Sequence, residues 1–297
     1  MQMKWLEDLI ALAETRSFTR AAAVRHVTHP AFGRRIRELE QWAGVPLVLR
    51  GGAPVTLTAA GETLLRQARQ SVDGLAAAQR EMRGGAASGQ PVFTLGTGRT
   101  LARTIAADWL WRVRTLTAQA MVQVRTSAMA EVLQRLERGE IDFMLSYHHP
   151  LIALHLEPAQ HLQHTVAHDR LVPVARAQAD GRPMFRLDGA RPAPFLAYAD
   201  SLALGHLVAD HLANHAQAPR LERRLEVDSA DALLEYVQKG MGVAWLPWSL
   251  AAGACRQKNI VPLAGKAMEI AFEVRMVRSK RRLSPLAERL WEAVVPA

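Results

Sequence analysis

The chain has 297 residues, enough for two or three domains, and 49% of them are apolar, so sizeable cores can be buried. A net charge of +9 suits a polyanionic partner without demanding one. The single cysteine, Cys255, excludes an intrachain disulfide and a Cys-based zinc cluster, and no apolar run reaches the length of a membrane span.

The opening MQMKWLEDLIALAETRSF predicts a helix, with Trp5, Leu6, Leu9, Leu12 and Ala13 on one face. Glu7, Asp8 and Glu14 interrupt any signal-peptide core, so a cytoplasmic location is expected. Ser17 is a good N-cap for a second helix, FTRAAAVRH, and Thr28 for a third, HPAFGRRIRELEQWA. Pro30 is tolerated there because the first turn has no helical partners for its N–H groups. Phe32, Ile36 and Leu39 form the buried stripe of this third helix.

Charge placement is the most informative feature of this region. Residues 16–37 hold six arginines (Arg16, Arg20, Arg25, Arg34, Arg35 and Arg37) and no acid. Solvated helical faces normally mix signs, so a one-sign block predicts a surface that faces phosphates. The alternative is an ordinary three-helix core with a chance basic face. VPLVLRGGAPVTLT then predicts two short strands around a turn, a wing that places Arg50 near a backbone phosphate.

A long helix is expected over 58–84, with Thr58 as cap and Glu62 in the first turn. Leu65, Ala68, Val72, Leu75, Gln79 and Met82 recur at three and four residues, the seam of a coiled-coil dimer. The competing reading packs the helix on its own domain. GGAASGQP, residues 84–91, predicts a flexible linker.

From Val92 the chain alternates short apolar runs with amphipathic stretches, the pattern of an α/β domain. PVFTLGT, Ala120–Arg125 and IDFMLSY are expected strands separated by helices, a βαβαβ order that implies a parallel sheet with ligands at strand C-termini. A second half follows, with RLVPVA, PFLAY, LEVDS and GVAWLP as strands and helices near 201–214 and 230–239. EIAFEVRMV and SPLAERLWEAV close the chain. Histidines are frequent, and His211 and His215 share a helix face, but no His-Glu-x-x-His pattern occurs; solvated surface is the expected role, and neither metal nor cofactor is expected. The ten methionines are scattered and read as core filling.

RSFTRAAAVRHVTHPAFGRRIRELEQWAGVPLVLR, followed by VTLTAAG, resembles the signature of the LysR-type transcriptional regulators. Gly240–Pro247 is similar to the family's Gly-x-Gly-aliphatic-x-x-Leu-Pro run. The resemblance implies an α/β chain overall, with a winged helix-turn-helix at 1–57, a dimerisation helix and hinge at 58–90, and a two-lobe, periplasmic-binding-protein-like effector domain at 91–297. Lobe I is expected at 91–162 and 266–297, and lobe II at 163–265. The implied function is regulation of transcription from promoter DNA, as a dimer or tetramer, in response to a small-molecule effector. RNA polymerase stands as a further candidate partner, and neither membrane attachment nor enzymatic activity is expected.

The family's usual Gln and Ser in the third helix are here His29 and Gly33. Gln can pair bidentately with adenine and His cannot, so the departure bears on base preference rather than on DNA binding. His29, Pro30 and Arg34 are expected near base edges, Thr28, Arg35, Arg37 and Arg50 on phosphates, and Ser17, Arg20 and Gly33 elsewhere on the DNA surface. The expected cleft lining is Gly98, Arg99, Thr100, Ser127, Ser146, Tyr147, Tyr198, Ser201, Ser229 and Met241. Thr100 and Ser201 stand where helices are expected to begin, and free N–H groups there would suit a carboxylate. The opening KWLEDLIAL also resembles the subgroup that answers hypochlorite by oxidising methionines, so an oxidant is an alternative signal. A two-lobe ligand-binding protein without DNA function is the alternative of another class.

Overall fold

The computed structural model describes residues 2–49, 54–88, 90–152, 154, 156–189, 191–263 and 265–294. The chain divides into two compact units, one of Met1–Gly89 with Glu137–Glu140, the other of Gln90–Leu136 with Ile141–Ala297.

In the first unit, α1 (Met3–Thr15), α2 (Phe18–Val24) and α3 (His29–Ala43) pack Leu6, Leu9, Leu12, Ala21, Ala22, Phe32, Ile36 and Leu39 into one core. Ser17 caps α2 as its sequence predicts, its hydroxyl accepting from the Arg20 N–H. Gly44 ends α3 at φ 73°, a left-handed position that glycine adopts without a Cβ penalty. The Glu40 carboxylate then accepts the Leu47 and Val48 N–H groups at 2.8 and 3.2 Å, which turns the chain into the wing. Val48 bridges antiparallel to Leu57. Residues 50–53 lie outside the described residues, and with them the expectation for Arg50.

Helix α4 (Ala59–Ser88) starts from the Thr58 cap, whose hydroxyl accepts the Gly61 N–H at 3.0 Å. A Cβ on Gly61 would stand 2.1 Å from the Leu47 carbonyl oxygen, so only glycine lets helix and wing approach this closely. The helix runs through Gly84 and Gly85 to Ser88, a correction to the linker expected there. Each glycine weakens a helix by about 1 kcal/mol without forbidding it, and the neighbouring alanines are the best helix formers.

The dimer seam is corrected at its first three positions. Leu65 is buried, and Ala68, with Val72 beside it, belongs to the core of α4's own unit. Leu75 and Gln79 are exposed, and the Met82 side chain lies outside those described. Periodicity locates an apolar face; it does not say whether α1 or another chain covers it.

The second unit is built on a sheet in the order β2-β1-β3-β9-β4-β7, with β8 on β4. The strands are β1 (Val92–Thr97), β2 (Met121–Thr126), β3 (Phe143–His148), β4 (His161–Arg176), β7 (Ala244–Pro247), β8 (Ile260–Pro262) and β9 (Ile270–Ser279). Helices α5 (Arg99–Arg103), α6 (Ile105–Arg112) and α7 (Met129–Glu137) connect the first three, which pair in parallel. A second pair, β5 (Ala193–Tyr198) with β6 (Leu221–Val227), is parallel and meets the main sheet through the Phe195–Val243 bridge. Helices α8 (Ala203–Asn214), α9 (Ala230–Gln238) and α10 (Trp248–Arg256) serve this half, and α11 (Pro285–Glu292) closes the chain.

β4 and β9 are the two passages between the halves, and they pair antiparallel from His161–Ser279 to Leu171–Ile270 with one bulge at Thr165/Ala167. The crossing is therefore a hydrogen-bonded ribbon. β4 begins nine residues before the expected RLVPVA strand, so His161, His164 and His168 are strand residues. Polar residues alternating along a ribbon hide a strand that is apolar only at its buried end.

Candidate nucleic-acid interface and effector cleft

The six arginines of residues 16–37 divide into two groups. Asp8 of α1 is fully buried, and Arg25 Nε donates to its Oδ1 at 2.8 Å while Arg35 donates to Oδ2 at 3.4 Å. Arg25 also pairs with Glu7. Burial opposes the charge on Arg25, but its bonds to Asp8 and Glu7 outweigh that and raise its pKa above the ordinary value. Arg35 is thus half-buried and turned to Asp8, a correction to its expected place on a phosphate. The acid-free window hid this, because the partner acids precede it in sequence.

The remaining cations face outward. Arg34 is 75% exposed and only 3.7 Å from Glu38 on its own helix face. Arg37 is exposed and donates to the Gly33 carbonyl at 3.3 Å, and Arg16 is exposed at the end of α1. Arg20 is exposed, with one guanidinium nitrogen 2.6 Å from the Thr15 carbonyl. At the start of α3, Thr28, His29 and Pro30 are exposed, and Gly33 opens on space that would take a Cβ without contact. The His29 ring stands edge-on to Phe18, centroids 6.1 Å apart, and Phe18 rests on buried Phe32, so packing orients the imidazole at the helix N-terminus. Thr28, His29, Pro30, Gly33, Arg34 and Arg37 share one accessible helix end, a shape and charge suited to a major groove.

In the second unit the cleft residues cluster less completely. Gly98 begins α5 and Thr100 follows, its hydroxyl donating to Asp231 Oδ2 at 2.8 Å. Arg103 donates to Asp231 Oδ1 at 2.8 Å, and Arg99 lies 3.8 Å from Asp228. Ser229 caps α9, accepting from the Ala232 N–H. Tyr147 is half-buried, packs edge-on to Phe272, and its buried hydroxyl has no hydrogen-bond partner among the described residues. Burial, with Asp169 and Asp231 adding negative potential, raises its pKa, so it remains a neutral donor.

Other expected members do not join this group. Ser146 is buried in register with Arg275 and Thr165, and successive strand residues point to opposite faces, so Ser146 and Tyr147 cannot line one cleft. Tyr198 is buried with its hydroxyl donated to the Trp245 carbonyl at 2.9 Å. Ser201 is exposed ahead of α8, whose N-cap is Leu202. Ser127 is half-buried after β2, and Met241 is 48% exposed beside Gly240. Sequence reasoning missed Asp231 and Arg103, because a search for anion-binding groups passes over an acid. The Ser-x-Asp start of α9 was the available signal.

Residues 3–62 match the model for the bacterial regulatory helix-turn-helix protein, lysR family, and residues 86–297 that of the LysR substrate binding domain. The chain belongs to the LysR family. It is a DNA-binding transcriptional regulator with an effector-binding domain, and nothing favours the alternative without DNA function. Among curated relatives, the HTH-type transcriptional regulator YjiE of Escherichia coli (strain K12) is 29% identical, over 98% of this chain and 93% of its own length. Among solved structures, Vibrio fischeri DarR in complex with DNA is 26% identical, covers 99% of this chain and 98% of its own, and has a TM-score of 0.62. Full-length HypT from Salmonella typhimurium, a hypochlorite-specific LysR-type regulator, is 26% identical, covers 98% and 96%, and has a TM-score of 0.60. No helix among the described residues is long and apolar enough to cross a membrane.

Proposed function

We propose that this member of the family reads its operator with the N-terminal end of α3. His29, Pro30 and Arg34 approach base edges, while Thr28, Arg37, Arg20 and Arg16 position the protein on phosphates. The observation that carries this reading is the division of the arginines: Asp8 and Glu7 hold Arg25 and Arg35, while Arg16, Arg20, Arg34 and Arg37 are exposed. Genomic footprinting to find the operator, then fluorescence anisotropy of the full-length protein across a salt series, tests it. Steep salt dependence with strong preference for the footprinted sequence is expected, and equal affinity for unrelated DNA would refute it.

A homodimer, paired further to a tetramer, is the proposed assembly, and it acts in the cytoplasm as a regulator rather than an enzyme. Beyond the seam consumed by its own core, α4 carries Ala60, Thr63, Leu64 and Gln67, which with Trp42, Val45 and Leu47 line a shallow apolar hollow of about 580 Å³. Exposed Leu75 extends α4's apolar surface beyond it. A partner's α4 suits that surface, and analytical ultracentrifugation of Leu75→Glu checks it.

The effector reading rests on the lobes joined by β4 and β9, with α5 and α9 facing across them. A second signal is supported by likeness to the hypochlorite-specific regulator over almost the whole chain. Met121, Met184 and Met241 are exposed and open to oxidation to sulfoxide. Unchanged operator affinity after mild hypochlorite treatment would dismiss this second signal.

A further inference from the structure

The effector cleft already holds an anion, and the chain itself supplies it. Asp231 belongs to α9, which packs on β4, β5 and β7 in the second half of the domain. Its two carboxylate oxygens accept from Thr100 Oγ1 and Arg103 Nη1, each at 2.8 Å, and both donors sit on α5 at the far side of the cleft. Two donors converging on one carboxylate reproduce the way a free organic acid would be held. Within electrostatic reach of Asp231, the buried Tyr147 hydroxyl has no hydrogen-bond partner among the described residues. A buried donor left unmade is costly, and is the group a ligand oxygen would satisfy. Asp231 thus ties the lobes together while leaving one donor unused.

We propose that Asp231 is a tethered anion occupying the effector subsite, and that the effector is a small organic acid whose carboxylate displaces it from Thr100 and Arg103 and accepts from Tyr147. This rests on the effector-cleft reading above. The tether keeps the internal carboxylate at an effective concentration of about millimolar or higher, so a free acid competes against it. Displacement breaks the link between α5 and α9, so that ligand binding is coupled to the relative pose of the lobes. A ligand shifts such an equilibrium only through its differential affinity for the two poses.

The test titrates sodium benzoate and sodium acetate into the full-length protein by calorimetry at constant ionic strength, with argininamide as a cationic probe. Asp231→Asn should bind benzoate about ten-fold or more tightly than the wild type, because the competitor has lost its charge. Adding Thr100→Val should abolish that gain. Equal or weaker benzoate affinity in Asp231→Asn overturns the proposal, as does argininamide binding that disappears in that variant, since Asp231 would then hold a cationic ligand directly. If Asp231→Asn does not fold, Asp231→Ala replaces it: the same gain of about ten-fold in benzoate affinity is expected, and equal or weaker affinity again overturns the proposal. Operator binding measured on the same preparations separates the two readings. Its absence in the wild type strikes the regulator assignment, whereas intact operator binding with the wrong benzoate response strikes the tethered anion alone.

Discussion

The two units handle arginine in opposite ways. At the end of α2 and on α3 of the first unit, two guanidinium groups are held by acids of α1, while Arg16, Arg20, Arg34 and Arg37 stay exposed, Arg34 with Glu38 3.7 Å away. Between the two halves of the second unit, Arg99 and Arg103 each face an aspartate of the opposite half. The same residue type therefore offers charge to a polyanion in one place and closes a contact in the other. What separates the roles is the acid that the fold delivers to each guanidinium.

The largest expected effect concerns the paired arginines of the first unit. Asp8→Ala leaves Arg25 and Arg35 without their buried counter-charge, which should cost about 2–3 kcal/mol, less than for a fully buried pair because both guanidinium groups are partly exposed and Arg25 keeps Glu7. Chemical denaturation of the full chain should show that loss in the first unit's transition, and a change below 1 kcal/mol would mean the pair is idle. Arg34→Ala sharpens the contrast. It should leave stability unchanged and weaken operator binding by about 1–3 kcal/mol while relaxing preference at one base position. Arg35→Ala should do the reverse, and if it weakens DNA binding without loss of stability, the division of the arginines is wrong.

A third test sits in the second unit, where the buried guanidinium of Arg278 grips Glu288 of α11 with a 2.9 Å bond among others. The Arg278 hydrogen bonds lower the Glu288 pKa to about 2, although partial burial pushes it the other way. A depressed carboxylate stabilises the fold above its ordinary pKa and loses that contribution as pH falls. Stability of the second unit should therefore decline from about pH 4.5 towards pH 2, and the decline should shrink in Glu288→Gln. That variant should also cost about 1–2 kcal/mol at neutral pH, less than a fully buried pair because Glu288 is partly exposed. Thermal melts across this pH range check both statements. The smallest effect belongs to Gly33→Ala, whose added Cβ meets nothing within 4 Å. Helix propensity should raise stability by about 0.5–1 kcal/mol, and any accompanying loss of operator affinity would show that the duplex approaches the backbone there.

Much of this was legible from residues alone. The apolar spacing of α1 and α3, the Ser17 cap and the winged-helix signature fixed the first unit in outline, because helices and caps are written in contacts between residues a few positions apart. The alternation of strands and helices announced the second domain for the same reason. The cleft was harder. Thr100 and Tyr147 were named, but Ser146 was named with them although strand alternation turns it away, and Asp231 was passed over. Nothing near Thr100 in sequence reveals a partner 131 positions later.

Local spacing in the chain settled which segments become helices, which carry positive charge and which family they build. The three-dimensional arrangement settled how those charges are spent: Asp8 reaching Arg35 across 27 positions, α4 turning Ala68 inward, and an aspartate of one lobe seated among the donors of the other. Short-range order follows from backbone geometry and the period of apolar residues. Charge pairing depends on which distant side chains the packed core brings within about 3 Å, and a linear pattern does not encode that distance.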